Sequence, residues 1–285
     1  MEFLITQGFN GISYAALLFM LGAGMTLIFG VMKIVNITHG TLYLIGGYIG
    51  YVTVRRTGNF YLALFLASMA VCILGMVMER FFLRELEGQD LRQMLMTMGI
   101  TLIFQDILLL IFQGLPLNMP LPAWAAGSLR AGQYSFPVLR MLMIGTAILV
   151  YMILWWFQER TRAGAILRAS VDNKKMAEGI GINVDRVTMG VFGLGSVLAA
   201  FAGVIGCAFT AIRPGVDFDV LPLAFVVVII GGMGSLKGAL LGSLAVGLID
   251  NFGKAVFPEL SYFTLFLPMA FILAFKPTGL YGRGS

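Results

Sequence analysis

The sequence lacks the side-chain arrangements that usually carry out catalysis. It has a single histidine and two cysteines, and the patterns HExxH and GxSxG do not occur in it. The phosphate-binding pattern GxxxxGK[ST] is also missing, because the Gly-Lys pair in NFGKAV is followed by alanine and lies in an apolar segment. We therefore predict no catalytic residue, no metal site and no cofactor bound by this chain.

The side chains that could act chemically are polar residues and glycines set into long apolar runs. One group lies in IVNITHGTL and a second in FQDIL, and a further acid, Asp250, comes just before Asn251. The segment GGMGS breaks a later apolar run. The candidates are Asn36, Thr38, His39, Gln105, Asp106, Asp250, Gly231, Gly232, Gly234 and Ser235.

Composition identifies the elements that carry these residues as membrane helices. The chain is 59% hydrophobic and 12% charged, whereas soluble domains carry about 25% charged residues. Its repeated apolar stretches of roughly 20 residues match a hydrocarbon core about 30 Å thick. We predict an all-α polytopic membrane protein with one transmembrane domain over residues 1–285. The net charge of +5 is spread over short loops, as membrane orientation requires, so we expect no nucleic-acid partner.

Nine apolar spans can be placed along the chain. They cover residues 10–31, 38–54, 60–79, 94–113, 137–157, 187–211, 220–233, 238–253 and 261–275. The seventh and eighth are short for a crossing, so we expect about eight or nine transmembrane helices, some of them short or broken. Lysine and arginine concentrate in the loops on the side of residues 168–183, which predicts an external N-terminus and a cytoplasmic C-terminus. The longest external loop, about 114–136, is predicted to be an ordered lid or an interfacial segment.

Asn36, Thr38 and His39 allow two interpretations. Such side chains can satisfy backbone groups where a membrane helix unwinds, which would make this a broken helix near the cytoplasmic gate of a solute pathway. Alternatively, the segment is a tight cytosolic turn with a histidine at the membrane surface. A lone histidine without a nearby carboxylate or thiolate is a poor metal site in either case.

The two acids within apolar spans are costly there and tend to face other helices. Asp106 follows Gln105 inside one span, and Asp250 lies near the end of another. A polar seam or a subunit contact would explain Asp106. We favour structural pairing of Asp106 with a neighbouring residue, because two isolated acids in different spans give little support for a proton relay.

The Gly231–Ser235 bend is first a packing feature, since small residues let membrane helices approach closely. Residues 24–48 and 226–247 share a pattern in which a Gly-containing polar bend breaks an apolar run. Paired interruptions of this kind can mark a translocation pathway. Ordinary glycine packing is the alternative explanation of the same pattern.

The segment RASVDNKKMAEGIGIN, residues 168–183, is a polar island between apolar spans. We expect Asp172 to cap a short helix, NKKMAE, that Gly179 ends. A helix of barely two turns is marginal in water unless it packs on something. Docking to a cytosolic partner through Met176, Ala177 and Ile180 would supply that contact, and a generic positive cytoplasmic loop is the alternative.

Several segments together resemble the permease subunits of bacterial branched-chain amino acid ABC importers, particularly the LivH-type members. The resemblance rests on LIFGVMKIVNITHGTLYLIGGY, ILRASVDNKKMAEGIGINVDRV, FGLGSVLAAFAGVIG, VVVIIGGMGSLKGALLGSLAVGLID and KPTGLYG. It covers nearly the whole chain in the expected order.

The resemblance implies a role for the polar island. In such permeases, this cytoplasmic segment, here about 158–186, is the coupling helix that sits in a cleft of a separate ATP-binding subunit. The positions that match this role are Arg168, Ala169, Asp172, Ala177, Glu178, Gly179 and Gly181. A separate ATPase also accounts for the missing phosphate-binding pattern, since ATP and Mg would bind to the partner.

The resemblance further implies a set of partners and a class of solute. The partners are a second, related permease subunit, two ATP-binding subunits and a periplasmic solute-binding protein. Leucine, isoleucine and valine are the usual solutes, while related machines import urea, short amides, aromatic acids or sugars.

We therefore expect a permease subunit of an ATP-driven importer in the bacterial inner membrane, not an enzyme. Asn36, Thr38, His39 and the Gly231–Ser235 bend are the predicted pathway or gate. The alternative from another class is a stand-alone ion-coupled transporter or channel, for which Asp106 and Asp250 give the support.

Overall fold

A computed structural model describes residues 2–131, 134–276 and 279–282, and eleven α-helices lie within them. The helices are α1 (Glu2–Met32), α2 (Thr38–Thr57), α3 (Phe60–Met78), α4 (Asp90–Phe112), α5 (Val138–Arg160), α6 (Arg162–Asp172), α7 (Lys174–Gly179), α8 (Val184–Phe209), α9 (Val216–Gly231), α10 (Leu236–Val256) and α11 (Ser261–Phe275). A π-helical turn (Glu79–Leu83) and a 3-10 turn (Arg84–Leu86) extend α3, and a second 3-10 turn (Pro258–Leu260) precedes α11.

The segment predicted as the long external loop contains a small β-hairpin that the sequence did not predict. Strands β1 (Ser128–Ala131) and β2 (Tyr134–Pro137) pair in antiparallel register. Earlier in the loop, Leu117 exchanges two backbone hydrogen bonds of 2.8 and 2.9 Å with Ile212. This loop is therefore ordered and is joined to the connection between α8 and α9.

Each of the nine predicted spans corresponds to one helix, so the all-α membrane class is confirmed. Six helices are long and apolar enough to cross a bilayer, namely α1, α3 with its extension, α4, α5, α8 and α10. The remaining three, α2, α9 and α11, do not meet that standard within the described residues. The crossing number of eight or nine and the orientation stay predictions.

Helices α1 and α8 form the centre of the bundle. In their most apolar stretches 78% of the residues are buried, compared with 22%, 22% and 17% for α3, α4 and α5. The outer helices expose rows of leucine, isoleucine, methionine and phenylalanine. Such side chains suit contact with lipid or with another membrane protein.

Glycine allows the central helices to touch through their backbones. A Cβ atom at Gly46 in α2 would lie 2.4 Å from the Cα of Ala200 in α8. Further along, Gly50 faces Val204. The residue numbers of the contacts rise together along both helices, so α2 and α8 run in the same direction. Any increase in the distance between the two helices would break these contacts.

Helices α1 and α10 are antiparallel and equally close. Gly247 packs on Ala15, and a Cβ atom at Gly247 would lie 2.6 Å from the Ala15 backbone nitrogen. Near the C-terminal end of α1, a Cβ atom at Gly30 would lie 3.3 Å from the Cα of Gly234, just before α10 begins. The bend between α9 and α10 is therefore held beside the C-terminal end of α1.

Two helices begin inside the bundle instead of at its edge. His39, in the first turn of α2, contacts the carbonyl oxygen of Leu21, eleven residues before the end of α1. That separation corresponds to about 16 Å along a helix. The first turn of α9 reaches the same level, because Asp217 packs on Gly40. The structure thus brings two helix N-termini together in its interior.

Candidate functional site

Polar side chains from three helices meet where α2 and α9 begin. We name Thr41, Thr101, Gln105 and Asp217 the polar cluster. Thr41 belongs to α2, Thr101 and Gln105 belong to α4, and Asp217 lies in the first turn of α9. The cluster is enclosed, since Thr41, Thr101 and Asp217 are each exposed by 2% or less.

Asp217 is the charged centre of the polar cluster. The Nε2 of Gln105 donates to both carboxylate oxygens, at 2.8 and 2.9 Å. The hydroxyl of Thr41 donates to Oδ2 at 3.2 Å and lies 3.2 Å from the Oγ1 of Thr101. A buried carboxylate is tolerated when donors surround it, and its place in a first helical turn is favoured by the helix dipole.

Helix α4 reaches the polar cluster through a row of polar residues spaced four apart. Gln93, Thr97, Thr101 and Gln105 fall on one face of the helix. Gln93 donates to the carbonyl of Leu83 at 2.8 Å, and Thr97 accepts from the Ile37 backbone at 3.3 Å. Most other side chains of α4 are exposed, so this row and the apolar side chains Ile100, Phe104, Leu108 and Phe112 attach α4 to the bundle.

Asn36 builds the entry to α2. Its Oδ1 accepts hydrogen bonds from the backbone nitrogen of Thr38 at 3.1 Å and from the Thr38 hydroxyl at 2.5 Å. These bonds satisfy donors at a helix start that would otherwise be unpaired in an apolar interior. The segment is therefore a break between two helices that is stabilised from within the bundle, while its role at a gate of a solute pathway stays a prediction.

His39 lies fully buried against the central helix α1. Its Nε2 is 3.0 Å from the carbonyl oxygen of Leu21, which fits a hydrogen bond donated by the imidazole. The ring fits because position 24 is glycine, where a Cβ would stand 3.0 Å from the His39 Cε1. The interpretation of His39 as a residue at the membrane surface is therefore wrong.

Two buried nitrogen atoms near this entry have no partner among the described residues. They are the Nδ2 of Asn36, which is a donor, and the Nδ1 of His39, which is an acceptor when Nε2 donates to Leu21. Unpaired buried polar groups cost about 1–3 kcal/mol each. The arrangement is therefore less than fully satisfied in this conformation, although Asp217 itself is well bound.

The predicted polar residues of the spans lie in four separate surroundings. Asn36, Thr38 and His39 lie at the break, and Gln105 joins the polar cluster. Asp106 is exposed on the opposite face of α4, and no described side chain pairs with it. The structural pairing that we favoured for Asp106 is therefore wrong within this chain. Asp250 is separate again, and it binds Lys254 at 2.7 Å on α10.

Asp217 was missed in the sequence. It follows Pro214 and Gly215 in a stretch that reads as a loop between two spans. The spacing of four between the polar residues of α4 could have signalled a buried polar partner. No comparable pattern surrounds Asp217 itself, because its helix partners are distant in sequence.

The Gly231–Ser235 bend packs against the C-terminal segment. The backbone nitrogens of Leu280 and Tyr281 donate to the carbonyls of Ile230 and Gly231 at 2.9 and 3.0 Å. Gly232 has a φ of 99°, and Ser235 begins α10 by accepting from the Gly238 nitrogen. Two motifs of the sequence, GGMGS and KPTGLYG, thus meet in space, although Pro277 and Thr278 lie outside the described residues.

The polar island folds into α6 and α7, with caps that differ from those predicted. Asn173, and not Asp172, accepts from the Met176 nitrogen at 3.0 Å and begins α7. Asp172 is the last residue of α6. Gly179 is still helical, whereas Gly181 adopts the left-handed conformation with a φ of 88° and completes the C-terminal turn. By residue type, Asp172 and Gly179 could both have been caps of α7. Asn173 takes the N-terminal cap position instead, and Gly181 takes the left-handed position of the C-terminal turn.

Helix α7 and the residue that follows it, Ile180, offer two apolar side chains to their surroundings. Met176 is 67% exposed and Ile180 is 72% exposed. Ala177 is only 2% exposed because it packs onto its own chain, so the expectation that Ala177 contacts a partner is wrong. Glu178, Gly179 and Gly181 are exposed, while Arg168 and Ala169 are half-buried.

Ion pairs join α7 and α8 to the segment between α3 and α4. Lys174 at the start of α7 binds Glu87, three residues before α4 begins. Arg84 binds Glu79 at 3.0 Å and also reaches Asp185 in the first turn of α8 at 3.7 Å. The short helix is therefore connected directly to the base of α4.

The family model for the branched-chain amino acid transport system permease component matches residues 8–274. The high-affinity branched-chain amino acid transport system permease protein BraD of Pseudomonas aeruginosa is 29% identical over 98% of this chain and 96% of its own length. The corresponding protein LivH of Escherichia coli is 26% identical over 99% of this chain and 96% of its own length.

A sugar permease is a more partial relative. The ribose import permease protein RbsC of Escherichia coli is 27% identical, and the alignment covers 56% of this chain and 45% of that protein. No solved structure matches the chain.

Removal of the Asp217 carboxylate should destabilise the protein more than removal of a nearby exposed carboxylate. In Asp217→Ala, Gln105 and Thr41 lose their acceptor in an enclosed site, which we expect to cost about 1–3 kcal/mol and to lower the unfolding temperature in detergent. Asp217→Asn should cost less because its amide oxygen still accepts. The matched control is Asp219→Ala, two residues along α9, where an exposed pair with Arg213 is lost at about 0–1 kcal/mol. Equal shifts for Asp217→Ala and Asp219→Ala would contradict the assigned role of the cluster.

Proposed function

The chain belongs to the family of branched-chain amino acid transport permease components, and we propose that it imports such amino acids as one membrane subunit of an ATP-driven machine. Membership follows from a family match that spans residues 8–274. The protein is accordingly a permease subunit of the inner membrane. The proposal extends this to the solute, the partners and the residues that transmit motion.

The observation that carries the proposal is the exposed helix α7. It presents Met176 and Ile180 from a segment that is otherwise polar. Exposed apolar side chains on so short a helix are stabilised when a partner covers them. We assign this surface to a cleft in a separate ATP-binding subunit on the cytoplasmic side. Asp172, Glu178, Gly179 and Gly181, which are also exposed, would border that contact.

Motion of α7 would reach the bundle interior through α4. Lys174 binds Glu87 beside the base of α4, and the far part of α4 holds Asp217 through Gln105. The polar row is a large part of the attachment of α4. A shift of α4 would exchange these directional hydrogen bonds and would also move the packing of Ile100, Leu108 and Phe112. We propose that this exchange loosens the starts of α2 and α9 and so alters the gate near Asn36 and His39.

The solute would be leucine, isoleucine or valine. Both relatives that align over nearly their whole length are described as branched-chain amino acid permeases, whereas the ribose permease aligns over less than half of its length. An apolar amino acid needs a path with mostly apolar walls and a few polar groups for its charged ends. A periplasmic binding protein would deliver it, and ATP with Mg would bind to the partner ATPases.

Reconstitution tests the proposed function. Liposomes should take up leucine when they contain this chain, the second permease and the ATP-binding subunits, with ATP inside and loaded binding protein outside. Omission of ATP or of the binding protein should abolish uptake. Uptake by this chain alone, driven by a sodium or proton gradient, would contradict the proposal and favour an ion-coupled transporter.

Charge reversal tests the link between α7 and α4. Lys174→Glu places two like charges together, and we expect leucine uptake by the complex to fall severalfold. The double variant Lys174→Glu/Glu87→Lys restores the attraction and should recover most of the uptake. Protein stability should hardly change, since an exposed pair contributes about 0–1 kcal/mol.

Lys175→Glu is the matched control, because it makes the same charge change at the neighbouring exposed position. If Lys174→Glu and Lys175→Glu lower uptake equally, or if the double variant fails to recover, the Lys174–Glu87 pair does not transmit motion.

A further inference from the structure

The outer face of α4 carries a carboxylate, that of Asp106, which pairs with no side chain in the part of the chain that the structure describes. Asp106 is the neighbour of Gln105, but it points away from the polar cluster and is exposed. It lies six residues before the end of α4, which is about 9 Å along the helix. The side chains around it are apolar, including Leu102 and Leu110, exposed by 47% and 81%. A charge in such surroundings is costly against lipid and is usually covered by protein.

A glycine on the same face gives a second observation. Gly99 lies seven residues before Asp106, which puts the two on one side of α4. A Cβ atom at Gly99 would meet no other atom within 4 Å, so no described part of this chain uses the small residue for packing. Glycine weakens a helix interior, and in membranes it commonly marks a close approach by a neighbouring helix.

We propose that this face of α4, centred on Gly99 and Asp106, is the contact surface for the second permease subunit. The inference rests on the proposed function, which requires such a subunit. The partner helix would carry a lysine, an arginine or an amide donor at the depth of Asp106. It would approach closely enough at Gly99 for the two backbones to pack.

The charge of Asp106 favours a different chain over a second copy of this one. Two copies related by a two-fold axis along the membrane normal would put identical residues at the same depth. Two α4 helices packed in this way would bring the Asp106 carboxylates together, where they repel in a medium of low dielectric constant. A related but distinct permease can supply the opposite charge or a donor.

The test is co-purification of the intact importer through a tag on the second permease. Gly99→Leu should reduce the recovery of this chain at least tenfold, because the larger side chain blocks the approach. Gly145→Leu is the matched control, since Gly145 is also an exposed membrane-helix glycine with no atom within 4 Å of its Cβ position. It should leave recovery unchanged. Asp106→Leu should also reduce recovery, and Asp106→Asn should reduce it less, because its amide oxygen still accepts a hydrogen bond.

A second measurement separates loss of assembly from loss of folding. With the tag on this chain, Gly99→Leu should be recovered from membranes at the wild-type level and run as a single species on gel filtration. Recovery through the second permease that is equal for Gly99→Leu and wild type would overturn the inference. So would assembly that persists in Gly99→Leu and Asp106→Leu while uptake stops, since this face would then line the solute path.

Two further outcomes would also count against the inference. An isolated wild-type chain that dimerises, with the dimer lost in Gly99→Leu, would assign the face to a second copy. If wild-type protein recovers neither a second permease nor an ATPase, the proposed function fails and this inference fails with it. If instead the wild-type complex forms and every variant still assembles, the proposed interface is wrong but the proposed function stands.

Discussion

The buried carboxylate of Asp217 is the constraint on which the rest of the structure depends. A charge inside a membrane protein must be surrounded by donors, and three elements are arranged to supply them. Gln105 comes from α4, Thr41 comes from the first turns of α2, and the start of α9 adds a favourable dipole. If α2 began at the end of α1, Thr41 would lie far from Asp217. The break at Asn36 is therefore the means by which α2 starts at the right depth.

The same constraint explains how α4 is held. The centre of the bundle consists of helices that touch through glycine, as at Gly46 and Ala200, and such contacts have no second arrangement of similar energy. Helix α4 lacks this kind of contact and is held by a row of hydrogen bonds and by apolar side chains that include Ile100, Leu108 and Phe112. Hydrogen bonds of this sort can be exchanged for others at small net cost. We propose that the chain combines a closely packed centre with one outer helix, α4, that shifts during transport, and Lys174 links that helix to α7 through Glu87.

Much of the fold could be predicted from the sequence, because apolar spans and helix breaks are local signals. All nine spans became helices, and IVNITHGTL was recognised as a possible break. Gln105 was singled out as an intramembrane polar residue, but Asp217 was not, since its importance depends on contacts more than 100 residues away. Asp106 was assigned to a pair that does not form, because a sequence does not show which side of α4 faces the bundle. The predicted N-terminal cap of α7 was wrong by one residue. Asp172 and Asn173 are both good cap residues, and only the position at which α6 ends decides between them.

The central claim is that α4 must move relative to α2 for transport to occur. The most direct measurement is uptake by a complex in which the two helices are tied together by Thr41→Cys and Thr101→Cys, with Cys72 and Cys207 replaced by alanine. The two threonine oxygens are 3.2 Å apart, so the introduced thiols can be oxidised to a disulfide after a small shift. Oxidation should stop leucine uptake, and a reductant should restore it, while either single variant should be insensitive to both. Undiminished uptake by the oxidised double variant would contradict the account.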